Sequence, residues 1–422
     1  CMMHIKEKLI SIAAEALVAE GRKEEAVSIL KNYLYQSPQD DSAYTVLVEA
    51  ANEELIPWLD ELYARDRFEE RPLIWKAHLL QKCKRLDEAE AVAREALRVD
   101  PTDGEQKAGD RVRAYTVLAD ILTAKGKKED AEFFRKVVES VRVAEEGDKL
   151  TAAGLIRRSL ALYEKAATYF ADAYCVQWRL AERMYALGDE AGAREHYRIA
   201  FERMPEQFGQ VASFCFGCEG VFNHQQSRSV AEEVLLRMEK DGPVRPQLYF
   251  LLGQLREAQQ RYAEAYDYFR KAVGMDPDYL DSWVKIYDLK NNLFLSRAEE
   301  DGLVLKMLQL DPAQKHFCGD LTGVGDLKGL WEVLQQNQKL AIPTPEKLFP
   351  LEASRERIEQ QKKTQASAEA WSPFEMYRGM GWRQKAQLPG EVIVNNRVVQ
   401  QILQVLVFGQ MSNGYPGMYD MY

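Results

Sequence analysis

The chain has 422 residues, with 66 Asp and Glu against 56 Lys and Arg, a formal net charge of −10. That acidic balance argues against nonspecific nucleic-acid binding, which draws its affinity from clustered cations on phosphate. No apolar run reaches the ~20 residues that a membrane-spanning helix needs.

From the N-terminus onward the chain reads as helical. Cys1 admits a lipidated N-terminus left after signal-peptide removal, as in a bacterial cell-envelope assembly factor. Yet IKEKLISIAAEAL turns helical almost at once, where a lipoprotein carries a polar tether. The expectation is therefore a cytoplasmic protein, with a lipoprotein anchored through Cys1 as the alternative.

Ala14, Gly21, Ala26, Leu30 and Pro38 then set small residues, a turn glycine and a closing proline at regular spacing. The stretch from Asp41 to Arg67 reads as a helical hairpin or irregular repeat. The pattern returns in Ala77, Leu80, Ala89, Ala93, Ala96 and Pro101, and again in Tyr115, Leu118, Ala119, Leu122, Gly126 and Ala131. This last unit lacks a closing proline, so its second helix should run long. Leu150 to Ala173 reads as another helical hairpin or irregular repeat.

Two further copies are the clearest, over 175–208 and 246–279. Pro205 closes a unit holding Leu180, Ala181, Gly188, Ala193, Tyr197 and Ala200. In QLYFLLGQLREAQQRYAEAYDYFRKAVGMDPDYLDSW, from Gln247 to Trp283, Gly253 lets the second helix approach and Ala265 answers it. Phe269 and Ala272 then complete one buried face. Tyr262 plugs the turn, Pro277 ends the second helix, and Asp278 is placed to cap the next one. Val284, Tyr287, Val304, Met307 and Pro312 form a looser copy without the small residues.

On these residues the chain resembles the tetratricopeptide repeat family. It departs at Arg256, where the family carries a bulky apolar side chain. The resemblance implies an all-α, right-handed superhelical solenoid of stacked antiparallel helix pairs over 1–316, with an irregular C-terminal extension over 317–422.

It also implies a non-catalytic scaffold that holds a protein or peptide segment on its concave side, while charge, hydropathy and motifs point to no nucleic acid, membrane span or cofactor. Family members line that side with the first helix of each repeat. The corresponding positions are Trp178, Glu182 and Tyr185; then Phe216, Asn223 and His224; then Phe250, Gln254 and Glu257; and finally Lys285 and Asn292. The Lys and Asn clamp by which chaperone-binding members grip a terminal carboxylate is not reproduced in successive repeats.

Cys215 and Cys218 form a CxxC pair in SFCFGCEGVFNH. With Cys175 and His224 they could supply a metal or redox site, since such pairs chelate zinc or close a small disulfide. No second CxxC exists to complete four ligands, and alignment on Pro243 puts both cysteines in packing slots, so no metal is expected. No zinc-protease motif, nucleophile-and-base set or phosphate loop occurs elsewhere, and the glycines from Gly319 to Trp331 read as a loop leaving the last repeat.

Past Phe317 the pattern stops. AIPTPEKLFPL reads as an extended connector and EASRERIEQQKKTQASAEA as a charged helix. GEVIVNNRVVQQILQVLVFGQM is the most apolar run, a helix or hairpin that docks on the repeats or mediates self-association.

Overall fold

The computed structural model describes residues 2–100, 114–209, 220–314, 316–317 and 321–338. All fall in the first of two compact units, residues 1–345; the second spans 346–422. The connector, charged stretch and apolar run lie outside the described residues, as do Pro101, Cys215, Phe216 and Cys218.

Helices fill the described chain, and no strand occurs among these residues. Helix α1 (Met2–Ala19) and α2 (Lys23–Leu34) fold back on each other at Gly21, whose φ of 81° is a conformation that suits glycine. Then come α3 (Asp41–Ala50), α4 (Ile56–Arg65), α5 (Arg71–Lys82) and α6 (Leu86–Val99). After the gap follow α7 (Ala114–Ala124), α8 (Lys128–Ala152), α9 (Ile156–Tyr169), α10 (Tyr174–Ala186) and α11 (Glu190–Gln207). The series ends with α12 (Gln225–Asp241), α13 (Pro246–Ala258), α14 (Tyr262–Met275), α15 (Leu280–Asp288), α16 (Lys290–Leu293), α17 (Arg297–Leu310) and α18 (Leu327–Gln338). Most helices pack chiefly on their sequence neighbours, so the core grows one pair at a time as an all-α repeat solenoid.

The small residues act as expected. Ala14, Ala26, Ala77, Ala89, Ala93, Ala181, Ala193, Ala200, Ala265 and Ala272 are all buried. A Cβ on Gly253 would collide with the Phe269 ring, so this glycine fixes how closely α13 and α14 approach.

Helix α8 does run long, over 25 residues. Its first half pairs with α7 and its second with α9, so one helix serves two successive repeats. Within the second pairing Gly147 lies against Tyr163 as Gly253 lies against Phe269, at the same sequence spacing, with Ala166 matching Ala272. Of the two readings of Leu150 to Ala173, the repeat holds, with the tail of α8 as its first helix.

Several local expectations are corrected. Pro205 does not end its helix, because α11 continues to Gln207 with the proline inside it and buried. Asp278 caps nothing: Tyr279 precedes α15, Asp276 accepts from the Asp278 amide at 3.0 Å, and Asp278 pairs with Arg67 and Lys306. In α15 the buried positions are Leu280, Ser282 and Ile286, leaving Val284 and Tyr287 half-buried. The loop expected from Gly319 to Trp331 gives way at Leu327 to α18, which packs on α17 through Leu330 and Leu334.

Arg256, the departure from the family pattern, is 5% exposed yet compensated. It donates to Glu232 and to Gln259 and lies 3.3 Å from Glu264. A buried guanidinium is tolerated here because carboxylates from both neighbouring helices meet its planar fork.

Candidate peptide-binding groove

The eleven expected groove residues divide sharply. Trp178 is 2% exposed and its ring packs on Tyr197 (centroids 5.1 Å apart) and Phe201. Phe250 is 3% exposed between Phe269 (5.8 Å) and Tyr279 (5.3 Å). Both are core residues, since rings enclosed between helices offer no surface to a ligand. Phe216 lies outside the described residues. Sequence spacing alone put large aromatics on the groove, whereas Trp178 and Phe250 pack against the second helix of their own pair.

The polar candidates come together. Glu182 on α10 accepts from the Tyr197 hydroxyl at 2.6 Å and faces His224 at 3.4 Å, with Arg183 at 3.9 Å. Tyr185, one turn along, stacks obliquely on His224 at 5.2 Å between centroids and remains 36% exposed. Asn223 is exposed beside them. The Glu182 hydrogen bond holds His224 protonated above its ordinary pKa, against partial burial. Burial and the same carboxylate push the Tyr197 phenol far above its usual range.

One repeat later Glu257 on α13 pairs with Lys285 on α15 at 3.0 Å. These two are the first helices of successive repeats. One turn before that pair, Gln254 on α13 and Asp281 on α15 each bury an oxygen that lacks a hydrogen-bond partner. Burial lifts the Asp281 carboxyl to about 7, against the pull of His316 and Lys285. Sequence reading did not select Asp281, although its place one turn before Lys285 was available. Asn292 is exposed on the short α16.

Cys175 is half-buried on α10 and packs against the apolar clusters on both sides of that helix. That is the environment of a small hydrophobe. His224 is committed to Glu182 and Tyr185.

Residues 71–103 and 246–279 match the tetratricopeptide repeat family model. The chain therefore carries tetratricopeptide repeats at these two places. It is 26% identical over 212 residues to human protein O-mannosyl-transferase TMTC1. That match covers 47% of this chain but only 23% of the relative's length. Among solved structures it is similar to a human IFIT1 dimer with PPP-AAAA (15% identity, 78% of this chain and 82% of that one, TM-score 0.28). The P58(IPK) TPR domain is also similar (15% identity, 85% and 99% covered, TM-score 0.22). So is the Cut9-Hcn1 hetero-tetramer of APC/C (12% identity, 78% and 55% covered, TM-score 0.25). Superpositions this loose say nothing of a shared curvature or ligand.

Proposed function

We propose that the protein is a non-catalytic scaffold that holds an extended protein segment along the face formed by α10, the start of α12, α13 and α15. The observation that carries this reading is the pairing of polar side chains between successive repeats, Glu182 with His224 and Glu257 with Lys285. Such pairs fix a row of charged and hydrogen-bonding groups beside the exposed Tyr185 ring. Tyr is an efficient anchor, giving large contact area for few rotatable bonds. The orphaned oxygens of Gln254 and Asp281 are acceptors that a peptide N–H would satisfy.

The likeness to a transferase covers less than a quarter of that relative. The acidic balance favours a protein partner over nucleic acid.

The test is affinity capture from the native cell with Tyr185→Ala and Lys285→Ala combined, each variant checked for an unchanged helical spectrum. Partner recovery should fall about ten-fold or more, as expected for loss of an anchor and a charged contact. Full recovery by a folded double variant sinks the groove reading.

A further inference from the structure

The turn between α4 and α5 meets residues more than two hundred positions away in sequence. Asp66 contacts His316 at 2.9 Å, and the Phe68 ring stands edge-on to the same imidazole at 5.7 Å. Arg67, between them, pairs with Asp278 at 3.0 Å, and Lys306 of α17 reaches the other oxygen of Asp278 at 3.5 Å. Phe68 and Phe317 are each about as buried as core residues, at 5% and 4% exposed. These contacts are not part of the repeat-to-repeat stacking. They tie the second helix pair to the turn before α15 and to the end of α17.

We propose that Asp66, Arg67 and Phe68 close onto Asp278 and His316 as a proton-dependent clasp, shut at acidic pH and opening as pH rises. This goes beyond the scaffold reading and holds whether or not the protein takes a peptide.

The charges around the contact set the sign. His316 is faced by Asp66 and Glu69 from the α4–α5 turn, by Asp311 from the end of α17, and by Asp281 from α15. Burial disfavours its charge, but the Asp66 hydrogen bond and the three carboxylates Asp66, Asp311 and Glu69 outweigh burial and raise its pKa. A group whose pKa is raised in the closed state stabilises that state fully below its free value, and the contribution disappears as pH climbs through the raised value.

Asp281 acts in the same sense. Neutral below about 7, it ionises above that point, where burial without a hydrogen-bond partner makes the charge costly. Lys285 is the other cation facing it and is engaged by Glu257. Loss of the imidazolium and gain of a buried carboxylate therefore both loosen the clasp over one pH interval. The Arg67–Asp278–Lys306 ion pairs lie beside this contact and guide reclosure.

Amide hydrogen exchange of the full-length chain reads this directly, with rates corrected for their intrinsic pH dependence. At about pH 5.5 the segments 62–72 and 311–317 should both be protected, and at about pH 8.5 both should exchange roughly ten-fold faster, as for a switch governed by one imidazole. Segment 190–207 on α11 should stay constant. His316→Gln keeps a donor of similar reach but no charge, and should exchange fast at either pH. Arg67→Asp should open the clasp, and adding Asp278→Arg should close it again. Exchange that ignores pH, or a His316→Gln chain that keeps the wild-type pH response, overturns the proposal. So does failure of the charge-swapped pair to restore protection while α11 remains protected.

Discussion

Two joints of the solenoid solve one problem differently: α8–α9–α10 and α13–α14–α15. In each, a glycine on the first helix receives an aromatic ring from the second, Gly147 with Tyr163 and Gly253 with Phe269. The ring identity then decides the rest. Phe269 has no polar atom and lies in an apolar seam with Phe250. Tyr163 carries a hydroxyl, which donates to Asp148 at 2.7 Å and meets Thr151 at 2.9 Å. Asp148 in turn receives Arg179 of α10 in a two-pronged pair at 2.7 and 2.8 Å.

The half-buried Asp148 carboxylate at the first joint is therefore fully engaged, whereas Asp281 at the second leaves an oxygen unpartnered. The same repeat geometry can house a structural charge network or a charge kept in reserve.

Breaking the satisfied network should have the largest effect. Arg179→Ala strands Asp148 among buried neighbours and should cost about 3–5 kcal/mol, visible as a lower denaturant midpoint. Replacing both partners, Arg179→Met with Asp148→Leu, should recover most of that loss. If the single and double variants are equally unstable, an unpaired charge is not what the single variant suffers from.

Next come the close approaches. Gly147→Ala and Gly253→Ala each force a methyl into a ring and should cost about 1–3 kcal/mol through overpacking. Gly147 should show the larger loss, because Tyr163 cannot swing aside without releasing Asp148 and Thr151. Trp178→Ala and Phe250→Ala belong with these core changes, lowering stability by about 3–5 kcal/mol. Equal thermal stability of wild type and Phe250→Ala would return that ring to the groove.

How far the sequence foretold this depended on where a repeat announces its ends. The pair α13–α14 was legible because Pro277 and the Gly253, Ala265, Phe269, Ala272 spacing mark one complete unit. The α8–α9 unit carried the same spacing in Gly147, Ser159, Tyr163 and Ala166, but no turn or proline separates its first helix from the one before. A search for glycine and ring at that fixed spacing, without regard to boundaries, finds it.

In the groove, charge was more informative than ring size. Glu182, His224, Glu257 and Lys285 pair across repeats as their positions imply. Trp178 and Phe250 followed burial instead, since a large ring gains more in the seam than on a wet face. The clasp was not legible, because contacts between Asp66 and His316 depend on how the stacked repeats curve and no local pattern encodes that curvature.

The unpartnered carboxylate gives a smaller, pH-dependent effect. Asp281 is raised in the folded state, so folding stability falls as pH rises from its unfolded pKa near ~4 to about 7, and the cost is then complete. Asp281→Asn removes the ionisation while keeping the shape. Its melting temperature should match wild type near pH 4 and exceed it above neutrality, by the equivalent of about 1–3 kcal/mol. Parallel curves for the two chains across that range would mean that Asp281 is already satisfied.

The smallest expected effect lies at the turns of these same joints. Gly154 leaves α8 with φ of 73°, and the corresponding residue between α13 and α14 is Gln260, with φ of 61°. An L residue with a side chain pays about 1 kcal/mol in that left-handed region, while glycine gives back part of the gain through greater freedom when unfolded. Gln260→Gly should therefore stabilise slightly, by about 0.5 kcal/mol, and Gly154→Gln should destabilise by somewhat more, because Gly154 has no alternative contact to offset the strain. Lys84, with φ of 61° at the same place between α5 and α6, provides an internal repeat of the measurement. If Lys84→Gly and Gln260→Gly both destabilise, the side chains must do more at these turns than tolerate the backbone, and the two joints would differ in their connections as well as in their cores.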